Sequence, residues 1–378
     1  MTEWKTCTIS DLGTVVGGAT PSTNKPENYE NGNIAWITPK DLAGFSGRYI
    51  SKGKRNITNK GLSSCSTQLM PKNSILFSSR APIGYVAIAA NEMCTNQGFK
   101  SVIPNENTDY LFLYYLLKYN KNKISNLGSG TTFKEISGSA MKRVEVNVPE
   151  NIQDQRKISS LLSSIDSKIE NNRAINKNLE EQVSILYQSW FEDFEITNGV
   201  CPKTWCYQEL SMIADIASGK RPPLKSDTCN EKTPISIVGA TSVMGFTSEA
   251  NHTDKILVTG RVGTHGVIQR FNIPCWTSDN TLVITSPYYE FTNQILHKID
   301  YSSMNRGSTQ PLITQGDLKK VVVLVPDEDT LAKFEEFAGS LMAKWEANNK
   351  ENVKLASLRD FLLPKLMSEK IDVSNLNI

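Results

Sequence analysis

The sequence lacks most of the features that mark enzymes, secreted proteins and membrane proteins. No apolar run approaches the ~20 residues that a membrane-spanning helix needs, and the N-terminal MTEWKTCTISD shows no signal-peptide pattern. The seven cysteines are scattered without a CxxC pair, and only three histidines are present. These absences argue against a disulfide framework and a zinc centre, and they favour a protein of the reducing cytoplasm.

Recognisable catalytic motifs are also missing. The sequence has no GxxxxGK(S/T) loop, no glycine-rich turn of the Rossmann type and no Asn-Pro-Pro-Tyr-like run, so NTPase, nucleotide-binding and base-methylating domains are not indicated. The acidic run 327–329 follows a proline at a predicted helix start, where helix capping explains it better than a nuclease metal site. His265 has no second histidine or cysteine nearby, which favours a polar loop residue over a metal ligand or base.

The net charge of +2 conceals an alternation along the chain. Residues 1–150 carry a net charge of +6, residues 151–195 of −3, residues 196–326 of +2 and residues 327–378 of −3. Asymmetry of this kind is expected where one part of a protein faces a polyanion, although ordinary scatter also produces it.

An internal repeat is the strongest pattern in the sequence. Three segments recur later in the same order: 4–22 as 205–223, 75–104 as 256–286, and 130–149 as 307–326. Both copies contain short β-rich runs between Gly, Ser, Asn and Pro turns, which predicts two mixed α and β lobes. The aromatic helical run 110–122 is assigned to the core of the first lobe and not to base stacking.

A long acidic helix is predicted after each lobe, with ~35–42 residues and a length of ~50–60 Å. From Ile152 to about Asp193 the chain has no Pro or Gly, and apolar positions recur every 3.5 residues, as in a helix packed along a partner. The first seam comprises Ile158, Leu162, Ile165, Ile169, Asn172, Asn176, Leu179, Val183, Leu186 and Trp190. The second, made less regular by Gly339 and Pro364, comprises Leu331, Phe334, Ala338, Leu341, Trp345, Asn348, Asn352, Leu355, then Leu358 slightly off phase, Leu362 and Leu366.

Both seams have asparagines at their centre. Antiparallel pairing would place Asn172 near Asn352 and Asn176 near Asn348. Such a polar layer costs stability but disfavours slipped registers. The alternative is that these side chains are exposed because the helices splay apart there.

Several loop residues suit contact with DNA. Arg80 and Arg261 occupy equivalent glycine-rich turns of the two copies, and a guanidinium suits phosphate or guanine. Asn and Gln side chains can read adenine edges. For any single residue, a structural role is at least as reasonable as base contact. The candidate DNA-contacting residues are Lys40, Arg80, Asn96, Gln97, Lys134, Lys220, Arg221, Arg261, His265, Asn280 and Gln310.

Several runs follow one another in an order shared with a known family. They are GGATPS at 17–22, WITPKDL at 36–42, SRAPIG at 79–84, TNQG at 95–98, Val148-Pro149 with Gln155, Ile158, Leu162, Asp166 and Ile169, and LR at 358–359 with LLPKL at 362–366. The order of these features, twice over, resembles the specificity subunit of type I restriction-modification systems. The second copy departs from the pattern, with ISIVGA at 235–240 in place of the Trp-Ile-Thr-Pro run and no aspartate matching Asp166.

The resemblance implies an α+β fold with two target-recognition domains, at 1–150 and 196–326, separated by two long helices, at 151–195 and 327–378, that form an antiparallel coiled coil. Each domain would read one half of a bipartite, interrupted sequence in double-stranded DNA. The helices would set the spacing and dock two modification subunits.

The resemblance also implies that this chain is not catalytic and has no cofactor or metal of its own. S-adenosylmethionine would belong to the modification subunits, and ATP and Mg²⁺ to the restriction subunits. Two other classes stay open: a stand-alone DNA-modifying enzyme with an unrecognised site, and a coiled-coil scaffold whose lobes bind protein.

Overall fold

Short strands and long helices make up the structure, a computed structural model that describes residues 2–129, 134–304, 306 and 312–374. The chain divides into two units. Unit 1 comprises Met1–Arg173 and Asn349–Ile378, and unit 2 comprises Ala174–Asn348. Each unit contains one β-rich lobe and part of each of two long helices. None of the described helices is long and apolar enough to cross a membrane.

The strands of lobe 1, in unit 1, form three sheets. They are β1 (Trp4–Thr8), β2 (Gly13–Gly17), β3 (Ile34–Ile37), β4 (Tyr49–Ile50), β5 (Arg55–Ile57), β6 (Ile75–Phe77), β7 (Val86–Ala89), β8 (Met93–Thr95), β9 (Lys100–Pro104) and β10 (Glu145–Pro149). Strand β1 pairs with β10, five strands follow the order β2-β9-β6-β7-β4, and three follow the order β5-β3-β8. The pair β3 with β8 is parallel, as is β4 with β7.

Lobe 2, in unit 2, repeats this topology except that its described residues contain no counterpart of β4. Its strands are β11 (Cys206–Glu209), β12 (Asp215–Ser218), β13 (Ile235–Val238), β14 (Val243–Thr247), β15 (Ile256–Gly260), β16 (Gln269–Phe271), β17 (Cys275–Thr277), β18 (Thr281–Thr285) and β19 (Val322–Val325). The sheets are β11-β19, β12-β18-β15-β16 and β14-β13-β17, and β13 with β17 is again parallel. The internal repeat predicted from the sequence is therefore confirmed at the level of strand order.

The helices are α1 (Ile9–Leu12), α2 (Asn59–Ser63), α3 (Tyr110–Tyr119), α4 (Lys121–Asn126), α5 (Gly138–Lys142), α6 (Ile152–Phe191), α7 (Tyr289–Lys298), α8 (Gln315–Lys319) and α9 (Glu328–Met367). The aromatic run is α3, whose side chains from Phe112 to Leu117 are buried. This confirms that the run belongs to the core. Asp109 caps the helix by accepting a hydrogen bond from the Phe112 N–H at 2.8 Å.

The two predicted long helices are α6 and α9, each of 40 residues. Side chains just outside the helices satisfy their first N–H groups. The Asn151 Oδ1 atom accepts from the Gln153 N–H at 2.8 Å, and the Asp327 Oδ1 atom accepts from the Thr330 N–H at 2.9 Å. Asp327 therefore acts as a helix cap, as the sequence predicted, and its Oδ2 atom also accepts from the Trp205 indole at 2.8 Å.

The seam of α6 is buried over most of its length. Of its ten predicted positions, eight are buried and only Leu186 and Trp190 are partly exposed. The seam of α9 is less regular. Met342 is buried where Leu341 was predicted, and Leu358 is 46 % exposed. Leu358, already slightly off phase in the sequence, is not part of the seam, because the in-phase position between Leu355 and Leu362 is Arg359. Arg359 is partly buried and donates to Asp166 of α6 at 2.8 Å.

Within each unit the two long helices run antiparallel, and the central asparagines pair as the seams predict. In unit 1 the Asn172 Nδ2 atom donates to the Asn352 Oδ1 atom at 3.0 Å. In unit 2 the Asn348 Nδ2 atom donates to the Asn176 Oδ1 atom at 2.8 Å. Asn172, Asn176 and Asn348 are buried and Asn352 is partly buried, so the helices do not splay at these residues.

The core of each lobe is completed by the long helices. In lobe 1 the buried side chains of Ile158 and Leu162 from α6 and of Leu366 from α9 join the strand and α3 residues. In lobe 2, Tyr187 from α6 and Phe334 from α9 are likewise part of the buried core, with their ring centroids 6.2 Å apart. Neither lobe forms its hydrophobic core from strands alone.

One tryptophan changes strand between the two lobes. Trp36 on β3 pairs with Cys94 on β8, whereas Ile237 on β13 pairs with Trp276 on β17. Both indoles nevertheless donate to the backbone carbonyl at the same place in the repeat, Ala19 at 3.1 Å in lobe 1 and Lys220 at 2.8 Å in lobe 2. This exchange accounts for the absence of a tryptophan from β13 in the second copy.

A pH effect is expected from Glu335 on α9, whose carboxylate accepts the Glu290 and Phe291 N–H groups at 3.1 and 2.8 Å. Burial raises its pKa from 4.5 to about 7, and the nearby Glu290 carboxylate adds to the rise. Because the folded state favours the protonated form, Glu335 contributes its full stabilisation below pH ~4.5, and this contribution is lost as the pH rises through about 7. Urea midpoints of the wild type should therefore fall over this range relative to those of Glu335→Gln; parallel pH profiles would contradict the assignment.

Candidate nucleic-acid interface

Four loops of lobe 1 converge on one open cavity of ≈ 490 Å³. It brings together three of the predicted DNA-contacting residues, Lys40, Arg80 and Asn96, which lie far apart in the sequence. The lining residues are Thr38, Pro39, Lys40, Arg80, Ala81, Asn96, Gly98 and Glu135. We call this surface the lobe 1 cleft.

Asp41 fixes the loop that carries Lys40. Its Oδ2 atom accepts from the Thr38 backbone N–H at 2.8 Å and from the Thr38 hydroxyl at 2.6 Å. Its Oδ1 atom accepts from the Lys54 N–H at 2.7 Å. One carboxylate thus ties two loops together and leaves the Lys40 side chain exposed.

The turn that carries Arg80 is held by main-chain hydrogen bonds on both sides. The Ser79 N–H donates to the Gly98 carbonyl at 2.8 Å, and the Ile136 N–H donates to the Ser79 carbonyl at 3.1 Å. The Arg80 side chain is about a third exposed, and its Nη1 atom lies 3.4 Å from the Glu135 Oε2 atom. The guanidinium is therefore accessible and only weakly held.

Glu135 is a residue that the sequence analysis missed. Its second oxygen lies 3.6 Å from the Lys100 Nζ atom, so one carboxylate faces two cations at the rim of the lobe 1 cleft. A single glutamate in a loop has no pattern that distinguishes it, and only the fold brings it to Arg80. Its neighbour Lys134 is exposed.

The amide side chains of this lobe are partly engaged by the loop itself. The Asn96 Oδ1 atom accepts from the Gly98 N–H at 2.9 Å, and no partner for its Nδ2 atom is found in the described residues. The Gln97 Oε1 atom accepts from the Thr20 hydroxyl, and the Gln97 side chain is exposed. Asn96 thus faces the lobe 1 cleft with donors available.

A basic loop next to the lobe 1 cleft was also missed. Residues 52–55 read Lys-Gly-Lys-Arg, and all three cationic side chains are exposed. Arg55 stacks over Tyr29, with 3.8 Å between the guanidinium carbon and the ring centroid. The hydrogen bond from Lys54 to Asp41 joins this loop to that of Lys40. The run of three cations in four residues is a signal that sequence reasoning could have used.

The candidates of lobe 2 lie around the loop 277–280. The Lys220 N–H donates to the Thr277 carbonyl at 2.9 Å, and the Arg261 N–H donates to the Asn280 carbonyl at 2.8 Å. Lys220, Arg221 and Asn280 are exposed, and Arg261 is partly exposed. Gln310 lies outside the described residues.

His265 belongs to the turn beside Arg261. Its Nδ1 atom lies 3.1 Å from the Gly260 carbonyl, and its buried Nε2 atom has no partner in the described residues. The same is true of the Arg261 Nε atom. Within the described residues no group of three or more His, Cys, Asp or Glu side chains could hold a metal ion.

The predicted equivalence of Arg80 and Arg261 is wrong by one residue. Ile313 donates to the Arg261 carbonyl as Ile136 donates to the Ser79 carbonyl, and Arg261 donates to Asn280 as Ser79 donates to Gly98. Arg261 therefore occupies the backbone position of Ser79. Matching the two arginines by residue type shifted the alignment, whereas the hydrogen bonds define the position.

The chain matches known proteins over its whole length. The family model described as "Type I restriction modification DNA specificity domain" matches residues 1–181. The MjaIX specificity subunit of Methanocaldococcus jannaschii, a type I restriction enzyme subunit, is 34 % identical, with 99 % of this chain and 95 % of that protein covered. The chain belongs to the specificity subunits of type I restriction-modification systems.

Two further similarities agree with this assignment. The EcoR124I/EcoR124II specificity subunit of Escherichia coli is 32 % identical over 44 % of this chain and 41 % of that protein. A crystal structure of the type I S subunit from M. genitalium has the same fold, with a TM-score of 0.62 at 22 % identity, covering 97 % of this chain and 96 % of that one.

Membership of this family settles the broad function. The chain is a DNA-recognition subunit of a type I restriction-modification system and not one of its catalytic subunits, and the family implies no cofactor of its own. The alternatives of a stand-alone modifying enzyme and of a protein-binding scaffold have no support among the similar proteins.

Proposed function

We propose that each lobe reads one half of a bipartite, interrupted sequence in double-stranded DNA. The observation that supports this most strongly is the repeated scaffold with different side chains at equivalent loop positions. Main-chain hydrogen bonds match Ser79 with Arg261 and Gly98 with Asn280. Two lobes of one topology that present different donors would recognise different bases.

The side chains of lobe 1 suit a division between phosphate and base contacts. Lys40, Lys52 and Lys54 are exposed point charges on two joined loops, which suits contact with the DNA backbone. Arg80 and Asn96 face the lobe 1 cleft, and their planar groups suit guanine and adenine edges. Glu135 would hold Arg80 until a base displaces it.

Substitution of the two arginines tests the half-site proposal. Arg80→Ala should relax base preference in one half-site only and cost ~1–3 kcal/mol of discrimination. Arg261→Ala, which removes the arginine next to that position in lobe 2, should relax the other half-site. The measurement is binding selection from DNA libraries in which each half-site is randomised in turn.

Two results would contradict these roles. Equal losses on target and random DNA would make Arg80 a phosphate contact, and relaxation of the same half-site by both variants would remove the division between lobes. Glu135→Gln is a control that should change DNA affinity in the opposite direction. It removes a negative charge beside Arg80 and Lys100, so affinity for random DNA should rise.

We further propose that the paired long helices set the spacing between the two half-sites. Each helix contributes to both units, since α6 crosses from unit 1 to unit 2 at residues 173 and 174 and α9 crosses back at 348 and 349. The asparagine pairs lie next to these points and would fix the helix register.

A matched insertion tests the spacing role. Seven residues added between Asn172 and Asn176 and seven between Asn348 and Asn352 keep the heptad phase and add ~10 Å of helix. That length corresponds to ~3 base pairs and a rotation of ~100° around the duplex. The folded variant should prefer a longer spacer or lose specific affinity while retaining non-specific binding, as measured on DNA of varied spacer length. An unchanged preference at full affinity would exclude the proposal.

The same helices are proposed to dock two modification subunits. Large apolar side chains are exposed on them at two places, Ile185 and Phe337 in unit 2 and Val353, Leu358 and Phe361 in unit 1. The Lys365 ammonium lies over one face of the Phe361 ring at 3.5 Å, and Trp190 contacts Phe337, yet more than half of each of these two phenylalanines stays exposed. The modification subunits would bring S-adenosylmethionine, and restriction subunits would bring ATP and Mg²⁺. The assembly would act on DNA in the cytoplasm.

Phe361→Asp should prevent co-purification with one modification subunit. Because this side chain is 57 % exposed, the substitution should leave the fold and the isolated chain's DNA binding unchanged. Asn178→Asp, which adds the same charge at an exposed site of α6, is the control. Unimpaired assembly of Phe361→Asp, measured by mass of the complex, would rule out this surface.

A further inference from the structure

Unit 1 contains a second cavity, of ≈ 270 Å³, that shares no lining residue with the lobe 1 cleft. It lies where the loop 45–48 and helices α3 and α4 meet the long helices. Five of its lining residues are cationic and only two are carboxylates. The charged lining residues are Arg48, Lys118, Lys121, Asp166, Glu170, Arg173 and Arg359.

One carboxylate is fully used by Arg48. The Arg48 Nε and Nη2 atoms donate to the two oxygens of Glu170 at 3.0 and 2.7 Å, and the Arg48 backbone N–H donates at 2.9 Å. The remaining guanidinium donors bind the hydroxyls of Ser163 and Ser167 at 2.7 and 2.8 Å. Arg48 is 6 % exposed, so the ion pair of Arg48 with Glu170 is a buried structural contact in which the two charges neutralise each other.

The other carboxylate is used by Arg359 and Tyr115. Asp166 accepts from the Tyr115 hydroxyl at 2.7 Å and from the Arg359 Nη1 atom at 2.8 Å. Arg359 also donates to Asp360 at 2.9 Å. Both carboxylates of the cavity are therefore already neutralised.

Three cations remain around the cavity, and none of them pairs with a carboxylate among the described residues. The Lys118 Nζ atom has only the Tyr114 hydroxyl at 3.4 Å and the face of the Tyr114 ring, 5.1 Å from its centroid. The Arg173 Nη1 atom donates to the Ser46 carbonyl at 2.7 Å. Lys121 packs its aliphatic stem against Gly84, where a Cβ atom would lie 2.6 Å from the Lys121 Cγ atom.

We propose that this cavity binds a phosphate group. Three cations with free N–H donors converge on one polar cavity large enough for a tetrahedral oxyanion, and a guanidinium with two ammonium groups matches its oxygens. Burial lowers the pKa of Lys118, and a bound anion would offset that cost. The phosphate is either that of the DNA backbone or that of a free phosphate-bearing molecule.

Titration calorimetry with inorganic phosphate, against chloride at equal ionic strength, tests the proposal on the full chain. The wild type should bind phosphate, and Lys118→Gln should bind it at least about tenfold more weakly. At ten times the dissociation constant, phosphate should raise the melting temperature of the wild type by ~2–5 °C. Lys123→Gln, which removes the same charge two residues from Lys121 but outside the cavity, should behave like the wild type.

A DNA arm identifies the source of the phosphate. If the DNA backbone supplies it, Lys118→Gln should lower the dependence of DNA affinity on salt by about one unit of slope, whether or not inorganic phosphate binds. If a free molecule supplies it, phosphate binding is lost and the salt dependence is unchanged. Two results would overturn the proposal if Lys118→Gln also leaves the salt slope of DNA affinity unchanged. One is equal phosphate binding by Lys118→Gln and Lys123→Gln, and the other is no phosphate binding by the wild type.

Discussion

The burial of long-helix side chains in the core of each lobe is the interaction on which the rest of the structure depends. Ile158, Leu162 and Leu366 pack into lobe 1, and Tyr187 and Phe334 pack into lobe 2. Fully burying one such side chain is worth ~1.5–3 kcal/mol, whereas a whole domain is stable by only ~5–15 kcal/mol. A lobe deprived of its helices would therefore not stay folded, and the loops proposed to contact DNA depend on helices that also run through the other unit.

An apolar seam by itself does not specify one register, because hydrophobic contact is non-directional. The hydrogen bonds between asparagines are directional and therefore specify the register. Each hydrogen bond, from Asn172 to Asn352 and from Asn348 to Asn176, needs a particular pair to be opposite, and a slip of one heptad would leave buried amides without partners. The stability lost at the centre is offset by the apolar contacts toward both helix ends.

The sequence allowed prediction of whatever depends on periodicity or on residues close in the chain. The α6 seam, the Asp327 cap and the buried α3 follow from spacing and local hydrogen bonding, and the structure confirms all three. Tertiary contacts outside the helix seams were not predictable. Glu135 contacts Arg80, 55 residues away in the sequence, and Arg48 contacts Glu170, 122 residues away. No local sequence pattern indicates either pair.

The shift of one residue between Arg80 and Arg261 shows that the backbone scaffold can stay constant while the loop side chains differ. Ser79 and Arg261 hold the same place through main-chain N–H and C=O groups alone, and those groups are present in every residue except for the missing N–H of proline. Likewise, Trp36 and Trp276 stand on different strands yet donate to equivalent carbonyls. The scaffold therefore requires a set of main-chain hydrogen bonds and places few demands on the loop side chains. The side chains proposed to contact bases can consequently differ between lobes while the fold stays the same.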